Sequence, residues 1–397
     1  MNPSKLLLPL ITFSIFNYQI GVAAPSTNIS GFLTAGVAYS DNETPYLRAG
    51  ITDDQPNYEQ DTVLGVQLDT ILDQNTRLSA QFIANNKEGT DFDTNAEWLY
   101  VSRNLGKHTT ARLGRLRVPI HLYSQQLFVG GSYIWLRPPQ EVYNLLASIS
   151  NFTGTDITFN LDSGIGSTSL QLYTGKITEK PLIILGQEAS ISTNQLFGAV
   201  GRFDAENLSL FLSYTRLDAN ISGELSASVP LLPPPSPPFL LPVSVDIASD
   251  SEVVTFGFQY NIGNVELLGE HAQRLSDDLG DSTGWYTTAA YNMDTWTPYI
   301  TLAQADSGAI NTTSGLGSLV GGLTGALQLD SESITLGLRK SLSPKVSINA
   351  ELHSAEAKHG TKGLFTGYQG FLSTTSATPE LEDPDVLMFS FAVNVLF

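Results

Sequence analysis

Sixteen short segments of this chain alternate apolar residues with polar or small ones, and the pieces joining them are by turns very short and long. The segments fall at 29 to 40, 61 to 71, 76 to 86, 93 to 103, 108 to 115, 153 to 162, 166 to 176, 192 to 203, 207 to 217, 251 to 260, 264 to 274, 283 to 291, 295 to 304, 330 to 340, 345 to 354 and 385 to 397. The short joints are Asp73-Gln-Asn-Thr, Asn104-Leu-Gly-Lys, Ser163-Gly-Ile, Asp204-Ala-Glu, Asn261-Ile-Gly, Asn292-Met-Asp and Ser341-Leu-Ser-Pro. Asn, Asp and Gly tolerate left-handed backbone, and Ser and Asp side chains cap tight turns, so these joints read as hairpins. The long connections lie at 41 to 60, 87 to 92, 116 to 152, 177 to 191, 218 to 250, 275 to 282, 305 to 329 and 355 to 384. A sheet with turns at one end and loops at the other is the result. Its even strand count puts both termini at the turn end, where the first and last strands can pair and close it.

Most segments are near the 9 to 11 residues that a tilted strand needs to cross a bilayer. Lipid offers no partners to backbone groups, so strands can cross it only as a closed barrel. Side-chain alternation supplies the two faces. Val254, Phe256, Phe258 and Tyr260 oppose Val253, Thr255, Gly257 and Gln259, and Val346, Ile348, Ala350 and Leu352 oppose Ser347, Asn349, Glu351 and His353. The apolar set of each pair is expected to face lipid and the polar set a lumen. Trp98, Trp285, Trp296, Tyr291 and Tyr299 stand near segment ends, where interfacial aromatic girdles belong. The fold class is therefore all-β, a transmembrane antiparallel β-barrel of 16 strands. An 18-stranded version would pair Gln125 to Val129 with Ser132 to Arg137 across Gly130-Gly131, and those runs are too short to span.

Charged residues make up 15% of the chain, against roughly 25% in soluble domains, which suits a wall facing lipid. The net charge of -19, with only 20 Lys and Arg, argues against a nucleic-acid partner. There is no cysteine, which excludes disulfides, thiolate metal sites and thiol nucleophiles. Residues 1 to 24 read as an export signal: Lys5, an apolar core from Leu6 to Phe16, then small residues before cleavage after Ala23 or Ala24. Residues 25 to 397 then form a single barrel domain.

The segment from His108 to Tyr143 combines three arginines, Arg112, Arg115 and Arg117, with a connection too apolar to lie loose in water. It carries Ile120, Leu122, Tyr123, Leu127, Phe128, Val129, Tyr133, Ile134, Trp135 and Leu136, so it is expected to fold into the barrel mouth and narrow it. The signal, the first strand Ile29-Ser-Gly-Phe-Leu-Thr-Ala-Gly, the strand count, the entrance Leu113-Gly-Arg-Leu-Arg-Val-Pro and a last strand ending on Phe397 together resemble the outer-membrane porins of Gram-negative bacteria. That resemblance implies a water-filled channel for passive diffusion of ions and small hydrophilic solutes. It also implies a homotrimer, and a constriction built from the third external loop, 116 to 152 here. Phe397 would be the signal read by the barrel assembly machinery. The loop departs from the common acidic pattern: Glu141 is its only acid, with Arg117, His121 and Arg137 around it. An anion-preferring, substrate-selective channel stays open beside the general porin, and a filled, non-conducting adhesin stays open beside both.

Selectivity in such a pore comes from its width and from the charged groups at its narrowest part. The pore-lining residues expected here are Arg112, Arg115, Arg117, Arg137, Glu141, Glu97, Arg339 and Glu351. Gly114 is expected to break the strand's alternation and let Arg115 and Arg117 turn inward. The alternative places an arginine on the outer rim against lipid phosphate. No HExxH, Walker or GxSxG pattern is present, so no catalytic or metal site and no cofactor is expected. Outer-membrane lipid and lipopolysaccharide are the expected surroundings; loop acids such as Asp53, Asp54, Glu59, Asp277, Asp278 and Asp281 are expected to keep the outer side solvated, with divalent bridging to lipopolysaccharide phosphates as the alternative. The Pro-rich stretch 230 to 243 reads as a stiff, exposed flap.

Overall fold

The computed structural model describes residues 25 to 86, 92 to 145, 149 to 184, 187 to 229, 239 to 276, 280 to 308, 329 to 366, 381 and 383 to 397. The export signal, residues 230 to 238 of the Pro-rich stretch, Asp277 and Asp278, most of the connection 305 to 329 and half of the connection 355 to 384 lie outside the described residues.

The strands are β1 (Ser26–Ser40), β2 (Val63–Ile71), β3 (Thr76–Asn85), β4 (Asp93–Asn104), β5 (Thr109–Arg117), β6 (Asn151–Ser163), β7 (Gly166–Lys176), β8 (Lys180–Ile184) and β9 (Gln187–Asp204). They continue as β10 (Leu208–Val229), β11 (Phe239–Ile262), β12 (Val265–Ser276), β13 (Ser282–Tyr291), β14 (Trp296–Ser307), β15 (Ser331–Ser343), β16 (Val346–Ala357) and β17 (Asp385–Leu396). Sixteen of them form one closed antiparallel ring. β8 alone stands outside, paired only with the outer end of β9. The ring closes where β1 meets β17, from Phe32 opposite Leu396 to Ser40 opposite Met388. Phe397 and Gly31 exchange two backbone hydrogen bonds of 3.0 Å at the seam, and the Phe397 ring occupies the space a Cβ on Gly31 would need.

Apolar and polar faces are inverted relative to a soluble barrel. Leu387, Phe389 and Phe391 are exposed on β17, while Met388, Ser390, Ala392 and Asn394 between them are buried. On β11, Val254, Phe256 and Tyr260 are exposed and Val253 and Thr255 are buried; on β16, Leu352 is exposed and Ser347, Asn349 and Glu351 are buried. Trp285, Trp296 and Tyr291 sit on the outer face, where a girdle needs them. Trp98 and Tyr299 do not. Trp98 faces the Arg117 guanidinium, 6.0 Å from its ring centre, and Tyr299 is buried with its hydroxyl on Glu351. Position near a strand end fixes height in the membrane but not which face a side chain takes.

Two connections expected as loops are largely strand. β10 has 22 residues and β11 has 24, and their ladder runs from Leu208 opposite Tyr260 up to Val229 opposite Phe239. At about 3.4 Å per residue this hairpin is roughly twice the height of the hydrocarbon core. β12 stops opposite Ser251, so the outer part of the hairpin stands above the rim, flanked by β8 and the outer end of β9. The Ser, Val and Ala alternation on both sides of the prolines favours the ladder.

Candidate functional site

The third long connection leaves β5 at Arg117, enters the barrel and returns to β6 at Asn151. It contains two 3-10 turns, Ser124–Gln126 and Gly130–Ser132, and one turn of helix, α1 (Gln140–Tyr143), which starts after Pro138-Pro139. Such an irregular segment cannot satisfy its own backbone, so the wall must supply partners. It does so at each stage of the path among the described residues.

At the stems, Arg117 Nη2 lies 3.0 Å from Glu97, and Nη1 donates to the Ser124 carbonyl. Glu97 also accepts from Asn151 Nδ2 at 3.1 Å, so one buried carboxylate ties both ends of the loop. On the way in, the Ile120 carbonyl accepts from Ser213 Oγ, the Leu122 carbonyl from Arg202, and the Leu122 N–H donates to Glu270. Leu116, Val118, Ile120 and Leu122 pack with Tyr173, Leu196, Val200, Phe211 and Val253, an apolar patch on the lumen side of β7 and β9 to β11.

The tip crosses to the seam. Arg339 donates to the carbonyls of Gly130, Gly131 and Tyr133. A Cβ on Gly130 would strike Asn394 Oδ1 and Thr34 Oγ1, so only glycine allows this approach. On the way out, Asn349 donates to the Ile134 carbonyl, Trp135 Nε1 to Thr288 and Thr301, and the Leu136 N–H to Glu351, which also accepts from Tyr299. Glu270 accepts from the hydroxyls of Tyr143 at 2.6 Å and Tyr286 at 2.7 Å. Trp135, Tyr133, Val142 and Tyr143 form a second apolar cluster with Leu268, Tyr286, Tyr299 and Ala303. Gly284 leaves room for α1, since a Cβ there would meet the Glu141 carbonyl.

Of the expected lining residues, Arg117, Glu97, Arg339 and Glu351 thus hold the loop to the wall. Glu141 joins them by accepting from Ser333, and burial raises the pKa of its carboxyl above the ordinary value. Arg112 stands lower on the wall, paired through two nitrogens with Asp156, which also accepts from Gln171, and 5.3 Å from the Tyr100 ring centre. Arg115 shares its register with Leu99 and Thr153, both exposed on the outer side of the ring. Gly114 has φ +141°, but the registers with β4 and β6 run through it without a shift, so Arg115 keeps the outward sense of Leu113 and the expected inward turn does not occur there. Arg137 lies at the edge of the loop, its guanidinium on Asp61 at 2.6 and 2.8 Å and on Ser390 at 2.7 Å. Burial alone would lower its pKa, but Asp61 and Glu351 outweigh that and raise it, so Arg137 stays charged. Burial pushes His121 down to about 3, leaving a neutral imidazole in the fold.

An opening of about 140 Å³ remains on the other flank of the loop. Leu127, Phe128, Tyr133, Leu136, Arg137 and Pro138 line its loop side, and Arg48, Gln60, Asp61, Val63, Asn85 and Asn86 line it from the first connection, β2 and the β3 rim. None of Arg48, Gln60, Asp61, Asn85 or Asn86 was among the expected lining residues. They are ordinary polar residues of the first two connections and flanking strands, brought to the site only by ring closure. The first connection is itself pinned at the mouth, where Tyr46, Leu47 and Ile51 pack on Leu364, Phe365 and Met388.

A closed sixteen-stranded barrel with an apolar outer face and an inward-folded third loop defines an outer-membrane channel. The chain belongs to the Gram-negative porin family, whose model matches residues 19 to 360. No curated protein matches it in sequence. Among solved structures it is similar to the anion-selective porin of Comamonas acidovorans, at 15% identity and a TM-score of 0.59 over 94% of this chain and 100% of that one. The outer-membrane channel DcaP of Acinetobacter baumannii is similar at 9% identity and 0.57, covering 94% of this chain and 97% of that one. A loop-deleted form of OmpT of Vibrio cholerae matches at 10% identity and 0.57, over 94% and 100%. These likenesses are of fold.

Proposed function

We propose that solutes cross this outer-membrane channel through the opening between the third loop and the side of the barrel formed by β1 to β3, by passive diffusion and without covalent chemistry. The opening itself carries the reading, because on the opposite flank the loop packs against the wall in two apolar clusters. The buried carboxylates Glu97, Glu270 and Glu351 each accept hydrogen bonds from the loop, an arrangement suited to holding a loop rather than to attacking a substrate. Arg137 lines the opening, and Arg117, Arg339, Glu97, Glu141 and Glu351 set the position of the loop that borders it.

Two guanidinium groups, Arg48 and Arg137, and one carboxylate, Asp61, are among the lining residues. That balance favours a modest anion preference, the property for which the Comamonas porin is named. Trimeric assembly is part of the same reading, supported by the trimer form in which OmpT of Vibrio cholerae has been solved. Export by residues 1 to 24, insertion guided by the terminal Phe397, and contact with lipopolysaccharide complete it. Single-channel recording of the refolded mature chain in planar bilayers, with the reversal potential taken across a salt gradient, is the test. Current steps in groups of three with an anion-sided potential are expected. A folded barrel that passes no current would overturn the reading.

A further inference from the structure

Arg115 stands apart from most arginines of the chain. Arg103, Arg112, Arg117, Arg137 and Arg216 each pair with a carboxylate. Among the described residues Arg115 makes no ion pair and no side-chain hydrogen bond. It points outward, in register with Leu99 on one neighbouring strand and Thr153 on the other. Thr153 is in turn opposite Lys176, an exposed residue that likewise has no acid partner among the described residues.

Adjacent strands lie about 4.8 Å apart, so two cations separated by one strand stand roughly 10 Å apart at the backbone, with only a threonine between them. Both side chains are long enough to bring their heads to one group above Thr153. Like charges this close on one face repel, and a lipid-facing cation lacks the water that would screen it. An anion seated between the two removes both penalties. A guanidinium grips a phosphate through two parallel N–H donors, and an ammonium adds a point charge.

Height and surroundings name the anion. Lys176 ends β7, Arg115 lies two residues before the end of β5, and Thr153 is the third residue of β6, so the pair sits at the loop end of the barrel. Toward the turn end of the same outer face, Val101, Leu113 and Leu172 are exposed. Charge above and apolar wall below match a phosphorylated lipid of the outer leaflet, with its headgroup on the cations and its acyl chains on the leucines.

We propose that Arg115 and Lys176, reaching across Thr153, bind a phosphate of the lipid A part of lipopolysaccharide on the outer face of the barrel. This rests on the lipopolysaccharide contact of the proposed function, not on the water path, and it gives that contact a site.

Native mass spectrometry of the full mature chain in detergent tests it, with bis-phosphorylated lipid A and the same lipid stripped of its phosphates as probes. Wild type is expected to bind the phosphorylated lipid at roughly 10-fold lower concentration, as hydrogen bonds between charged groups provide. The double variant Arg115→Gln, Lys176→Gln is expected to erase that difference. Thr153→Glu, which sets a carboxylate between the two cations, is expected to erase it without removing either. Arg216→Gln is expected to keep it, because Arg216 is already paired with Asp250 and Glu252. Phosphate preference retained in either the double variant or Thr153→Glu would overturn the site, and Thr153→Glu decides alone if the double variant fails to fold. A wild-type barrel that binds both lipids equally also overturns the site while leaving the lipopolysaccharide contact in place. So does a double variant that falls to monomers with its lipid binding unchanged, since the cations would then belong to a neighbouring copy's carboxylates. A folded wild-type barrel that binds neither lipid sinks the contact and the site together.

Discussion

The two flanks of the third loop face very different walls. Toward β7 and β9 to β14 the loop meets inward-facing Tyr173, Val200, Phe211, Leu268, Tyr286 and Tyr299 and packs on them in two apolar clusters. Toward β1 to β3 the lining is mostly polar, with Thr34, Gln60, Asn85 and Asn86 beside a single Val63, and the opening survives. An amphipathic loop inside a polar lumen settles against whichever part of the wall is apolar. The opening is what is left on the other side.

Trp135→Ala strikes the sealed flank hardest. It removes a fully buried indole and its hydrogen bonds to Thr288 and Thr301, a loss of roughly 3–5 kcal/mol to loop docking. Conductance is expected to rise several-fold as the loop leaves the wall, and an unchanged single-channel step would contradict the packing argument. Asp61→Asn acts on the open flank. Removing one partner of the Arg137 pair unbalances a charge at the edge of the opening, at a cost on the order of 2–4 kcal/mol. The reversal potential in a salt gradient is expected to move further to the anion side, and a cationward move would count against the assignment of Arg137 to the path.

Gly130→Ala has a smaller reach. The added methyl group collides with Asn394 and Thr34, and the overpacking costs about 1–3 kcal/mol, expected as a lower unfolding temperature and a noisier open channel. The mildest perturbation is acid. His121 is held at about 3 when folded, below its ordinary 6.5, so the unfolded loop binds the extra proton between those values. Loop docking is therefore full above pH 6.5 and weakens as pH falls, by on the order of 1–2 kcal/mol at pH 5, with Glu270 at 3.9 Å lessening the loss. Loop noise that grows below pH 6 in the wild-type channel and not in His121→Gln would agree. Identical acid responses would not.

Much of the ring was legible in the chain because its signals are local. Period-two alternation marks each strand, and Asn, Asp and Gly mark each tight turn, as at Asn292-Met-Asp and Asn261-Ile-Gly. The heights of β10 and β11 were not legible, because prolines between them read as a loop while the ladder depends on pairing across the hairpin. The inward loop was recognisable from apolar residues that had nowhere else to go. Its charge partners were not: Arg137 meets Asp61 76 positions away, Leu136 meets Glu351 215 positions away, and only ring closure brings them together. For the same reason Arg117, Arg339 and Glu351, read from sequence as charges lining a pore, turn out bound to loop backbone or to Glu97, while Asn86 carried no signal at all.

The chain has no cysteine, so single introduced thiols report water access without background. A charged methanethiosulfonate applied to conducting Asn85→Cys and Thr255→Cys channels therefore tests which flank carries the water path. Asn85 lines the opening, and Thr255 is fully buried on the lumen face of β11. Stepwise loss of current in Asn85→Cys with Thr255→Cys untouched is the expected result. Block at Thr255→Cys with Asn85→Cys unaffected would place the path on the wrong side of the loop and contradict the account.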